Sequence, residues 1–113
     1  MPEIVNPATG KIIKERAWDT SEVVERKLNA AAQAFTHWRE LSFEQRGAYL
    51  KAAARQLRED KALHSALMTE EMGKPVKEAD GEVEKTAWAA EHYAEHAQTY
   101  LAPQTIESDA THS

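Results

Sequence analysis

Two short β-branched runs, Ile4-Val5 and Ile12-Ile13, open the chain on either side of Asn6-Pro7-Ala8-Thr9-Gly10. A proline at the second position of a turn and a glycine at its end fit a hairpin, so two strands joined by a loop are predicted. Two strands are marginal alone and need another sheet or a helix to cover them. Further on the apolar period lengthens. Val24, Leu28, Ala31, Phe35 and Trp38 follow in alternating steps of four and three, one helical stripe, while Glu25, Lys27, Asn29, Gln33 and Arg39 make the solvent face. Thr20 or Ser21 offers the capping hydroxyl, and Asp19 and Glu22 put negative charge beside the positive end of that helix.

Ser42 with Gln45 forms a capping box that starts a second helix, whose Phe43, Gly47, Leu50, Ala54 and Leu57 share a face. Arg58-Glu59-Asp60-Lys61 interrupts the pattern, which resumes at Leu63, Ala66 and Leu67, so a bend or break and a short extra helix to Met72 are expected. Gly73 then supplies the left-handed residue that ends a helix, and Pro75 forbids its simple continuation. Lys74, between them, is expected to be extended and presented outward, at a corner that is either a helix stop or a small functional loop; a stop is the common use of such a triplet.

After the corner Val76, Ala79, Val83, Ala87, Ala90, Tyr93 or Ala94, Ala97 and Leu101 hold helical spacing for about 25 residues. That face is largely alanine, which lets another element approach closely. Gly81 sits inside the pattern at a cost of about 1 kcal/mol against alanine, either required by a close contact or simply tolerated. Ala102-Pro103 closes the helix. The chain thus divides into a hairpin (1–18), helices (20–72), a long helix (76–102) and a polar connecting tail (103–113), a mostly α fold with an N-terminal β-hairpin.

At 113 residues the chain is one small domain or a piece of a larger one. Its 42% hydrophobic and 29% charged content is that of a soluble globular protein. A net charge of -5, with basic residues scattered among acids, argues against a nucleic-acid partner. No segment approaches the roughly 20 apolar residues that cross a bilayer, and no basic stretch precedes an apolar run at the start, so no membrane partner is expected and the chain reads as cytoplasmic. There is no cysteine, hence no disulfide, thiolate metal site or thiol nucleophile among these residues.

His92 and His96 stand four apart on one helical face, a metal-compatible spacing, but a site needs three or four ligands and the neighbours Glu91 and Glu95 are ordinary surface residues. Two exposed or hydrogen-bonded histidines are the expectation, and no metal is assigned. The acids Glu78, Asp80, Glu82 and Glu84 point in different directions along a helix and read as solvated charges near its positive end rather than as catalytic carboxylates. Trp18 and Trp38 read as core residues; Trp88, one position out of register with the Ala87 and Ala90 stripe, reads as the edge of a cleft or interface. Neither a GxGxxG nor a GxxxxGK[ST] phosphate loop is present, and no Ser-His-Asp arrangement can be argued.

Taken in order, Asn6-Pro7-Ala8-Thr9-Gly10-Lys11-Ile12-Ile13, Ala34-Phe35 with Trp38, Glu71-Met72-Gly73-Lys74-Pro75, Gly81-Glu82-Val83-Glu84-Lys85 with Ala87-Trp88, Tyr93-Ala94-Glu95-His96-Ala97 and Tyr100-Leu101-Ala102-Pro103 resemble the N-terminal segment of the aldehyde dehydrogenase superfamily, closest to its bacterial succinate-semialdehyde dehydrogenase branch. No single motif is specific; their order and separations are. The resemblance implies a partial piece of an α/β aldehyde dehydrogenase fold, roughly the first quarter of an NAD(P)-dependent oxidoreductase that oxidises an aldehyde such as succinate semialdehyde to the acid. It implies that the cofactor loop, the general-base glutamate and the nucleophilic cysteine lie elsewhere, so that this chain alone has no catalytic residue, binds no NAD or NADP and is inactive.

In the family the long helix after the Gly-Lys-Pro corner helps to line the entrance of the substrate tunnel, which makes Gly81, Lys85 and Trp88 the candidate site. Lys85 would attract an aldehyde with an anionic tail; the alternative is an exposed lysine paired with Glu82 or another acid. The implied partners are the remainder of an aldehyde dehydrogenase chain, or a second copy bound through exposed apolar helix faces, within a family of homo-oligomers. A non-enzymatic helical interaction module derived from the same family is the alternative function.

Overall fold

The computed structural model describes residues 1–109; the end of the polar tail, 110–113, lies outside the described residues. Strands β1 (Glu3–Val5) and β2 (Ile12–Glu15) pair antiparallel, with Glu3 opposite Glu15, Ile4 opposite Lys14 and Val5 opposite Ile12. This register leaves Ile13 as an extra, bulged residue. The connecting loop is held by its own polar groups: Asn6 Oδ1 accepts from the Ala8 N–H at 2.9 Å, and the Gly10 N–H donates to the Asn6 carbonyl at 2.8 Å.

Four helices follow: α1 (Ser21–Trp38), α2 (Phe43–Glu59), α3 (Lys61–Met72) and α4 (Val76–Tyr100). Their ends are set by local chemistry. Thr20 Oγ1 accepts from the Val23 N–H at 3.3 Å, and Ser42 and Gln45 exchange both bonds of a capping box, at 3.1 and 2.9 Å. The charged run after Leu57 is a break: α2 stops at Glu59 and α3 starts at Lys61, with Asp60 between them. Gly73 adopts φ 72°, and its N–H donates to the Thr69 carbonyl at 3.0 Å. A side chain there would be strained and would also strike the hairpin loop, since a Cβ would lie 2.9 Å from Pro7 Cγ. Lys74 departs from expectation: it is turned onto α4, where Nζ lies 3.2 Å from Glu82 Oε1, because the tight corner brings it beside the first turns of that helix.

α4 lies across α2 and α3, and the seam is built from small residues. Ala54, Ala79, Val83 and Ala87 are its buried apolar members, joined by Gly47 and Ser65. Gly47 is where the helices come closest, since a Cβ there would stand 3.1 Å from the Ala94 carbonyl oxygen. Gly81, by contrast, has open space around it, so no close contact among the described residues requires it.

The larger apolar side chains are elsewhere. α1 buries none of its residues, and Val24, Leu28 and Phe35 of its stripe are exposed; its last residue, Trp38, tilts against Tyr49 of α2 with ring centroids 5.3 Å apart. Trp18, expected in a core, is 75% exposed, because no element of the described residues lies over it. The whole is extended. The radius of gyration is 20.3 Å, against about 13 Å for a compact chain of this length. The accessible surface is 9395 Å², some 3,000 Å² more than the roughly 6,200 Å² of a compact monomer of this mass. Among the described residues no helix is long and apolar enough to cross a membrane.

Candidate functional site

With Ala79, Val83 and Ala87 turned into the seam, the 100° step of a helix carries Gly81, Lys85, Trp88 and His92 to the opposite side of α4. Gly81, Lys85 and Trp88 are therefore brought together on one exposed face, and among the described residues no wall stands over them. Lys85 makes no ion pair among the described residues, and Glu82, the acid expected to pair with it, is engaged by Lys74. Trp88 keeps 60% of its surface open to solvent.

Trp88 is held from one side by a ladder that continues its own register. Its ring stacks on His92 at 5.4 Å, and His92 stacks on His96 at 4.4 Å. His92 Nε2 and the Tyr100 hydroxyl share a hydrogen bond at 2.8 Å, and His96 Nδ1–H donates to the His92 carbonyl at 2.8 Å. Steps of four along a helix stack these side chains one above another. The two histidines are thus committed to hydrogen bonds and stacking, while Glu91 points away to Arg58. Among the described residues no three His, Cys, Asp or Glu side chains are placed to hold a metal ion.

Of the four acids expected to be solvated, Asp80, Glu82 and Glu84 have partners. Asp80 Oδ1 accepts from the buried Ser65 hydroxyl at 2.5 Å. Glu84 meets Arg58 at 3.0 Å and Lys61 at 3.1 Å, and Arg58 also binds Glu91. Hydrogen bonds from Lys61 and then Arg58 hold the Glu84 carboxyl below its ordinary range. Glu91 and then Glu84 hold the Arg58 guanidinium charged even more firmly than usual. This partly exposed cluster ties α2 and α3 to α4, its charges engaged with one another. The signal in the sequence was its position: Arg58, Glu84 and Glu91 each follow a seam residue, Leu57, Val83 and Ala90.

A shallow groove of about 210 Å³ lies between the start of α2 and the end of α4, walled by Trp38, Phe43, Leu50, Tyr93 and Leu101. Arg46 lies over the Phe43 ring at 4.6 Å, and its buried Nε has no hydrogen-bond partner among the described residues.

No glycine-rich turn opens a helix, and Lys74, the cation at the start of α4, is already paired with Glu82. Gly81, Lys85 and Trp88 together offer one ammonium, one indole N–H and an aromatic surface held by stacking, which is chemistry for binding and orienting a ligand.

A hairpin, a broken helix pair and a long alanine-faced helix in this order define a known class. The sequence profile of the aldehyde dehydrogenase family matches residues 2–113, and the chain belongs to that family. It is 38% identical over 109 residues to a probable NADP(+) succinate-semialdehyde dehydrogenase of Synechocystis sp., covering 96% of this chain and 24% of that protein. It is 35% identical over 97 residues to an NAD(P)+ succinate semialdehyde dehydrogenase of Escherichia coli, covering 86% and 21%. In structure it resembles the succinic semialdehyde dehydrogenase from Streptococcus pyogenes in complex with NADP+, with a TM-score of 0.87 and 30% identity over 95% of this chain and 24% of that one. The chain spans about a quarter of the length of the relatives it matches. Its mostly α architecture is accordingly a partial piece of the α/β aldehyde dehydrogenase fold.

Proposed function

We propose that this chain serves as the N-terminal quarter of an NAD(P)-dependent aldehyde dehydrogenase, a cytoplasmic homo-oligomer whose substrate is succinate semialdehyde or a similar aldehyde with an anionic tail. The observation that carries the reading is the match along nearly the whole chain to relatives named for that substrate, at 38% and 35% identity. In this role Gly81, Lys85 and Trp88 stand at the mouth of the substrate tunnel, and Lys85, free of an acid partner among the described residues, attracts the carboxylate. The thiolate that adds to the aldehyde carbonyl comes from outside these residues, which hold no cysteine. The dinucleotide is likewise held by the remainder of the enzyme, so the chain by itself is inactive.

The surplus of some 3,000 Å² of surface supports a covering partner, being several times the roughly 800 Å² that one side of a standard interface buries. It serves equally the alternative of a non-enzymatic helical module that pairs with itself. Reading the coding sequence past Ser113 separates the two. A continuation that carries a cofactor loop and a cysteine sustains the enzyme reading, and a stop codon there sinks it.

A further inference from the structure

A lysine is a flexible point charge: it attracts any anion and orients none. Selection between a carboxylate and a neutral end group needs a second donor held at a fixed angle beside it, because a site built to hydrogen-bond a group rejects the analogue that lacks it. Trp88, one helical turn from Lys85 on the same face, carries such a donor in its indole N–H. An indole 60% open to solvent would ordinarily rotate freely. Here it lies on His92, and His92 is itself fixed twice, by its bond to the Tyr100 hydroxyl and by its stack on His96, whose Nδ1 is bonded in turn to the helix backbone.

Resting on the functional reading above, we propose that His92 is a positioning residue: stacked beside Trp88 and tied to Tyr100, it fixes the indole next to Lys85 and so makes the tunnel mouth select aldehydes that end in a carboxylate. The ammonium supplies the attraction and the clamped indole supplies the discrimination. Gly81, one turn before Lys85, has open space around it where the chain of the substrate can pass.

The test uses the enzyme in which this chain is joined to the catalytic cysteine, and reads its preference for succinate semialdehyde over butanal, a neutral aldehyde of the same length, as the ratio of the two kcat/KM values. In His92→Ala the preference falls about five- to tenfold, through KM for the acid rather than through kcat. His92→Gln, whose amide can still bond the Tyr100 hydroxyl but has no ring to lay against Trp88, restores only part of it and stays below the parent. Tyr100→Phe, which removes one exposed hydroxyl and leaves folding intact, lowers it in the same direction. An unchanged preference in both His92→Ala and Tyr100→Phe, with Lys85→Met lowering it, overturns the positioning role and leaves the functional reading standing. If Lys85→Met also leaves the preference unchanged, or the enzyme oxidises no aldehyde, the functional reading falls and the role of His92 with it.

Discussion

α1 and α4 are both amphipathic, yet of the two only α4 finds cover for its apolar face among the described residues. The difference lies in side-chain size. The face of α4 is mostly alanine, so α2 and α3 approach until Gly47 touches the Ala94 backbone, and the seam closes with no side chain larger than Val83 buried in it. α1 presents Val24, Leu28 and Phe35, and no element of the described residues reaches them. Small residues hold this chain together, whereas the large ones, which carry most of the burial energy, are turned towards something beyond it.

The sharpest way to break this contrast is to place a charge on each face in turn. Ala87→Glu, which buries a carboxylate in the seam, is expected to cost about 4 kcal/mol or more and to abolish the cooperative urea transition. Phe35→Glu on α1 is expected to leave the transition within about 0.5 kcal/mol, since it removes nothing from a packed site. Equal losses in the two variants would mean that α1 is packed after all. At the next scale, the two helix-interior glycines should respond with opposite signs. Gly47→Val overpacks the closest approach and should destabilise by about 1–3 kcal/mol. Gly81→Ala meets open space and should stabilise by about 0.5–1 kcal/mol, read as a higher urea midpoint.

The smallest effect expected is electrostatic. Glu84 is held below its ordinary range by Lys61 and Arg58, so its contribution is fully present above the ordinary carboxylate value and is lost as the pH falls through the lower value it has when folded. Urea midpoints of the parent and Glu84→Gln, compared from about pH 7 to about pH 3, should differ at the upper end and converge at the lower. A difference constant across that range would remove Glu84 from the linkage between the helices.

What could be read directly was whatever is decided within a few residues. The Thr20 cap, the Ser42 and Gln45 box, the break after Leu57 and the Gly73 stop are contests between neighbouring groups, and each falls where the pattern put it. That Gly81, Lys85 and Trp88 share the face opposite the seam follows from helical spacing, but choosing them as a site rested on the family resemblance alone. The partners of Arg58, Lys74 and Asp80 were not legible, because each lies eight or more positions away and depends on how helices meet or, for Lys74, on how tightly the corner turns. Trp18 and the α1 stripe were misplaced for a related reason: period shows that a face is apolar, not that the same chain covers it. The ladder from Trp88 to Tyr100 shows as steps of four, but the exposed His92 and His96 suggested only a weak metal pattern until Tyr100 was seen to share the bond.

Gly73 and Pro7 give the molecule a latch. The hairpin touches the corner where one pyrrolidine ring occupies the space that a missing methyl leaves, so two segments 66 positions apart are indexed to one another through the width of a single carbon. Enlarging position 73 would do more than strain a turn: the same atom would push the hairpin off its seat and let the heading of α4 drift, loosening both ends of the chain at once.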